Sequence, residues 1–481
     1  MKFAIKELKI KRTFIIITSV YLALFFIFYR PFVPFDGDDW LNLSTFRSSL
    51  FPVWGAFNPS KVLPETLQPL VGVLSSLILP ITKSIINSIV IVSALLLVGV
   101  FALLINELWN FLSIKFNLGP ASIALVLTLY TISQFLIFKT GFNNNGFLLL
   151  PIDFTCLFHY VIPGLLCQFL TIFFLNNGSL EQIYKDNLKK FSVVSILLYF
   201  AVFSNIIINI MIPLIMFYII FKQHNFSLKT SILEIFVILV WIISLVFESS
   251  GGRSKNFSGE SIYANLRETI NSLHTVHFNH YFLLYVFFVV GLFVVISVIS
   301  KTIFQWELIL LLILASVLSL IYQIIICAKS SPNYISRPDV LMVPFFYLLL
   351  ILIILTTILL SKSKYRWIKP IVSLLVCLLL IQTFNTNQIL SSSVAAGGSS
   401  PEQAKKLDNS IISKIYQANN NGELDITVYV PKRDGTNNWP NSINIGQNIS
   451  NFLYQNDLIN NRITVKTVPS DKLNSKYLIT N

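Results

Sequence analysis

Residues 84–106 read SIINSIVIVSALLLVGVFALLIN, with no charged side chain among them. A bilayer core about 30 Å thick is crossed by roughly 20 helical residues, so this run is long enough to span as a helix. Working outward, similar runs lie at 13–30, 118–138, 157–176, 191–221, 230–247, 281–300, 304–327, 342–361 and 368–386. Of 481 residues, 54% are hydrophobic and only 12% charged, with a mean hydropathy of +0.72. An ordinary soluble domain is about one quarter charged. A chain this poor in charge cannot coat a globule with solvated side chains, and its 41 Phe residues would aggregate in water. The expected class is an all-α polytopic membrane protein.

Lys and Arg set the expected orientation, because they concentrate in cytoplasmic loops. The first run follows Lys2, Lys6, Lys9, Lys11 and Arg12, as a signal peptide would. No small-residue cleavage site follows it; the chain continues into Arg30-Pro31-Phe32, so the run reads as a retained helix. Further basic connections lie at Lys185/Lys189/Lys190, Lys222/Lys229 and Lys362/Lys364/Arg366/Lys369. Placing all of them in the cytoplasm requires 191–221 to cross twice, turning outside near Asn205. The result is about eleven transmembrane helices in a multi-pass cell-membrane protein with a cytoplasmic N-terminus. Residues 1–386 form the membrane domain. The outer loops are about 31–66, 139–156, 248–280 and 328–341.

The net charge of +13 belongs to this topology and to anionic headgroups, not to nucleic acid. The cysteines (Cys156, Cys167, Cys327, Cys377) lie in or beside spans and form no CxxC pair. They imply no disulfide framework and no zinc site.

Residues 387–481 are different material. A small-residue stretch from Ser391 to Ser399 leads to Ser400-Pro401-Glu402-Gln403, which reads as a capped helix start. Leu407, Ile411, Ile412, Ile415 and Tyr416 then make one apolar helical face. Asp425–Val430 alternates as a strand does, a second helix falls near Ile449–Leu458, and a second strand at Ile463–Val468. This predicts a small extracytoplasmic α/β domain, under a hundred residues and dependent on the membrane domain to complete its core.

One outer segment carries chemistry: Pro34-Phe35-Asp36-Gly37-Asp38-Asp39-Trp40, at the exit of the first helix. Three carboxylates in four residues repel one another, which raises the cost of ionising them. That suits a general base, and it equally suits oxygen ligation of a divalent cation. Trp40 reads either as a sugar-stacking platform or as an interfacial anchor.

An acidic motif in the first outer loop, many spans and a soluble tail outside together resemble the GT-C class of membrane glycosyltransferases, nearest to the bacterial branch that decorates O-antigens, teichoic acids and other cell-wall polysaccharides. The resemblance implies a polyprenyl-phosphate-linked sugar donor and a polysaccharide or teichoic-acid-type acceptor. It also implies a first-loop acid as catalytic base: Asp36, Asp38 or Asp39, with the adjacent pair Asp38 and Asp39 the closer match.

Such a reaction leaves negative charge on a lipid phosphate, which cationic groups would stabilise. The outer loops offer Arg253 and Lys255 after a Gly251-Gly252 turn, and Lys329, Tyr334 and Arg337 before a span. Arg337 suits bidentate phosphate contact; the alternative is that both loops carry ordinary bases paired with Glu248 or Asp339. His274, His277 and His280, three apart, read more readily as headgroup-layer residues than as metal ligands. Gly141–Gly146 is an Asn-rich turn, with Asp153 and His159 close behind in sequence. Glu234 and Glu307 lie near span ends and reach the interface. Two other readings compete. A polysaccharide polymerase or ligase would rest on Arg253 and Arg337. A lipid-linked-sugar flippase would not need the aspartates for bond formation.

Overall fold

The computed structural model describes residues 2–140, 144–149, 151, 153–222, 231–252, 261–300, 306–362, 368–384 and 399–478. The N-terminal part is a helical body. Its helices are α1 (Lys2–Leu24), α2 (Gly37–Ser44), α3 (Val62–Thr82), α4 (Ile85–Phe116), α5 (Pro120–Leu136), α6 (Phe154–Asn177), α7 (Leu180–Asp186), α8 (Leu188–Val202) and α9 (Met211–Lys222). There follow α10 (Ile232–Ser249), α11 (Ile262–His274), α12 (His280–Ser300), α13 (Trp306–Ser330), α14 (Pro338–Lys362) and α15 (Ile368–Phe384). Seven of the described helices are long and apolar enough to cross a membrane: those at Glu7–Tyr29, α3, α4, α6, α10, α13 and α14. Shorter apolar helices are α5, α9, most of α12 and most of α15. The chain is thus a membrane protein of mainly helical build.

Burial sorts these helices. In their most apolar windows, 94% of α6 and 83% of α14 are buried, against 11% of α10 and 28% of α13. The first two form the centre, and the last two turn apolar side chains outward. α4 packs between α1 and α6, α13 lies along α14, and α5 touches both α14 and α15.

The run 191–221 breaks as its asparagines suggested. α8 ends at Val202, the chain turns through 203–210, and α9 carries it back. Asn205 holds the turn by donating to the His159 carbonyl (2.9 Å) and accepting from the Ile207 N–H (2.9 Å). Asn209 accepts from the Trp241 indole (2.9 Å).

The body has two distinct ends. One carries Lys11 on Asn110 (2.6 Å), Lys190 on Asn177 (2.6 Å), Lys115 and Lys222; we call it the lysine face. The other, the aspartate face, carries the first loop, the Asn205 turn and residues 399–478. Glu234, at the lysine face, accepts from the Leu180 N–H that begins α7 (2.7 Å). This is a structural role for an acid near a span end.

Helix α3 was not anticipated; the sequence placed its start inside a loop that ended at residue 66. It runs across the aspartate face. At its start the Leu63 N–H reaches the Phe203 carbonyl (3.0 Å). Midway Gln68 donates to Thr155 Oγ1 (3.0 Å). Its end turns through Lys83, in the left-handed region at φ 57°, into α4, whose Asn87 meets Lys405 of the C-terminal unit (3.3 Å).

That unit comprises α16 (Pro401–Asn421), β1 (Asp425–Pro431), α17 (Ile445–Gln455) and β2 (Thr464–Ser470). β1 and β2 are parallel, Asp425 opposite Thr464, and α17 crosses between them. The α16 start is a reciprocal cap: Ser400 Oγ accepts the Gln403 N–H (3.1 Å) and Gln403 Oε1 accepts the Ser400 N–H (2.8 Å). Leu407, Ile411, Ile412 and Ile415 are buried on the expected face.

Candidate functional site

The first helix ends in a π-helical turn, Phe25–Tyr29, closed by the Arg30 N–H on the Phe25 carbonyl (2.7 Å). The next stretch is extended and buried, with Phe32 stacked on Phe26 at 4.9 Å. Asp36 then caps α2, its Oδ1 accepting the Gly37 N–H. Asp39, three residues on, reaches back: its Oδ2 accepts the N–H groups of Phe35 (3.1 Å) and Asp36 (3.3 Å). Its Oδ1 accepts the Thr155 N–H (2.8 Å). Asp153, which caps α6 through the Cys156 N–H (2.6 Å), thereby sits beside the first-loop carboxylates.

The three clustered acids have different places. Asp39 is fully buried, with both oxygens on backbone donors. Asp38 is exposed, in the first turn of α2. Asp36 is 3% exposed, and its Oδ2 accepts the Trp439 indole N–H at 2.8 Å. Burial, then the neighbouring charges of Asp38 and Asp153, push the Asp36 carboxyl up to about 7, against the hydrogen bonds from Gly37 and Trp439. Asp39 is raised well above the usual carboxylate range, by burial first and then by Asp153 and Asp36.

The C-terminal unit is clamped onto this loop. Asn441 donates to the Phe35 carbonyl (3.2 Å) and Asn448 to the Gly37 carbonyl (2.9 Å). The approach is close at Gly37, where an added Cβ would lie 2.2 Å from Ser442 Oγ. At Gly72 an added Cβ would meet the Leu43 carbonyl at 2.3 Å and Phe452 at 3.1 Å, so α3 also supports the contact.

Trp40 is not a sugar platform. It is fully buried, edge-on to Phe452 at 5.3 Å, with its indole N–H toward Asp408. Asp408 is itself fully buried, and burial raises its carboxyl well above the usual range against that N–H.

Arg337 does lie near the acids, but its fork is already engaged. Nε and Nη2 donate to the two oxygens of Asp339 (3.1 and 2.6 Å), and Nη2 also to Cys156 Sγ (3.0 Å). The guanidinium lies 4.6 Å from the Tyr160 ring and 4.9 Å from the Tyr334 ring. It is a buried structural pair with Asp339, and Glu248 accepts from Ser60. Lys329 is exposed at the end of α13. Arg253, Lys255 and Gly141–Asn143 lie outside the described residues. The turn leading to Arg253 is nevertheless tied to the first loop, the Gly252 N–H donating to the Ala56 carbonyl (3.1 Å).

A divalent cation does not fit the acids as placed, because the oxygens of Asp36 and Asp39 face N–H donors. Among the described residues no three His, Cys, Asp or Glu converge for a metal. His274 ends α11, His277 lies in a strand pairing with Lys139, and His280 begins α12, so the three share no helix face. Sequence reasoning missed Trp439, Asp408, Asn441 and Asn448; their one visible signal was an aromatic residue in an Asn-rich stretch of the tail. A scan against protein-family models and searches of curated proteins and of solved structures returned no match.

Proposed function

We propose that this chain is a GT-C-like glycosyltransferase that moves a sugar from a polyprenyl-phosphate donor to a cell-surface polysaccharide or teichoic-acid-type acceptor. The aspartate face is extracytoplasmic in this reading, because the lysine face carries the basic connections. The observation that carries it is the division of labour among three acids at the exit of the first helix. Asp39 anchors the loop, Asp36 sits beside it at a raised pKa, and Asp38 faces solvent.

Asp38, the accessible member, takes the proton from an acceptor hydroxyl. The acceptor oxygen bonds to the anomeric carbon as the bond to the lipid phosphate breaks, and the electron pair leaves on phosphate. One displacement inverts the anomeric centre. With Arg337 committed to Asp339, the charge on the departing phosphate falls to Arg253 and Lys255. The C-terminal unit walls the acidic loop and offers its polar surface to the acceptor.

The test is transfer of labelled sugar from a polyprenyl-phosphate donor in membranes holding wild type or Asp38→Asn at matched expression. A fall of about 10²-fold or more is expected for loss of a general base. Full activity in Asp38→Asn would sink the assignment of the base.

A further inference from the structure

At the end of the body opposite the aspartates, Lys115 of α4 and Lys222 of α9 line one cavity of about 370 Å³, with Asn176, Asn177 and Ser179 at the α6–α7 junction. Among the described residues neither lysine has an ion pair. The following segment 223–230 contains no Asp or Glu. Glu107 on α4 is turned to the Asn110 and Asn176 amides (3.3 and 2.9 Å). Lys190 adds positive charge nearby through its bond to Asn177. Like charges sharing a recess without an acid are relieved by an anion.

The recess adjoins a second cavity. Leu175 and Tyr218 line both; the second, of about 300 Å³, is walled by Leu214, Phe221, Leu311 and Ala315 between α6, α9 and α13. That second cavity is apolar and lies where the helices would face hydrocarbon. A basic polar recess adjoining an apolar cavity matches a molecule with an anionic head and a hydrocarbon tail. Basic pockets between membrane helices on the cytoplasmic side hold acidic headgroups for this reason.

We propose that this composite cavity binds a phospholipid of net negative charge. Its phosphate sits between Lys115 and Lys222, hydrogen-bonded by the Asn177 and Ser179 side chains, and one acyl chain lies along α9 and α13. The site is at the far end of α4 and α6 from Asp36, so it is separate from the sugar-transfer site and does not depend on that reading.

The test is lipid binding by native mass spectrometry of the delipidated full-length protein in detergent. The probes are phosphatidylglycerol, phosphatidylcholine and inorganic phosphate. Wild type should prefer phosphatidylglycerol to phosphatidylcholine. Lys115→Gln with Lys222→Gln should weaken phosphatidylglycerol about 30-fold, the contribution of two lysines to an acidic headgroup. Both lysines are exposed, so this variant keeps the fold, which size-exclusion chromatography checks. Ala315→Phe, which fills only the apolar cavity, should weaken the lipid and leave inorganic phosphate unaffected. Equal binding of the two lipids, or undiminished phosphatidylglycerol binding by the lysine variant, overturns the proposal. Loss of inorganic phosphate alone, with lipid binding intact in Ala315→Phe, overturns it in favour of a free-phosphate site.

Discussion

The Trp439 indole N–H donates to Asp36 Oδ2 at 2.8 Å, joining positions 403 residues apart. The bond favours the ionised carboxylate, which burial disfavours. Trp439→Phe keeps an aromatic ring and removes the N–H, so the Asp36 carboxyl should hold its proton to a still higher pH. Infrared titration reads this through the carboxyl band that Asp36→Asn removes. An unmoved Asp36 titration in Trp439→Phe would show that the bond is packing only.

The two adjacent acids should part company. Asp39→Ala leaves the buried N–H groups of Phe35, Asp36 and Thr155 without their acceptor. It should destabilise the solubilised protein by at least about 2 kcal/mol. Asp38→Ala, at an exposed position, should leave thermal stability unchanged while removing transfer. Thermal unfolding of the two variants side by side checks this; equal stability losses would contradict it.

Docking of the C-terminal unit should weaken as pH rises. In the docked state Asp36 titrates near 7, above the roughly 3.9 of a solvated Asp, and burial raises Asp408 as well. A raised acid holds its proton more tightly when docked. Its contribution to docking is therefore full below about pH 4 and is lost as pH climbs through about 7. The Cβ of residue 37 would lie 3.5 Å from the Ser442 Cβ, within disulfide range. In a Cys377→Ala background, Gly37→Cys with Ser442→Cys should therefore form a disulfide. With closure rates divided by the thiolate fraction at each pH, closure should be faster at pH 5.5 than at pH 8. The reverse order would refute the sign.

Arg337 should behave as a structural residue. Arg337→Ala leaves Asp339 buried and unpaired, at a cost of about 3–5 kcal/mol. Arg337→Lys cannot restore a two-point contact and should recover little. Removing Asp339 together with Arg337 should restore part of the stability, measured by thermal unfolding. An Arg337→Ala protein of native stability that fails only in donor binding would revive the phosphate-binding role.

Much of the fold was legible because it was local. Asn205 and Asn209 interrupt an apolar run and mark its turn. Ser400 and Gln403 cap α16 within one helical turn. Helix α3 was hidden because Pro64, Glu65, Gln68, Pro69 and Pro80 break the apolar signal of a helix that lies across the body. The acidic cluster was visible, but the ranks of its members were not. What separates Asp38 from Asp39 is the Thr155 N–H, and what buries Trp40 is Phe452 with Asp408. Those partners lie more than a hundred residues away in sequence, and no period or spacing announces them. Arg337 misled for the opposite reason: Asp339, two residues on, satisfies the fork that looked available.

The reach from Asp36 to Trp439 also imposes an order on biosynthesis. The acidic loop emerges 403 residues before its covering indole. Until that indole is made, Asp36 lacks the hydrogen bond and the burial that the tail supplies. A nascent chain halted anywhere among the membrane helices therefore carries an untuned site. Competence arrives as a single late event, when the tail folds down on a loop made hundreds of residues earlier.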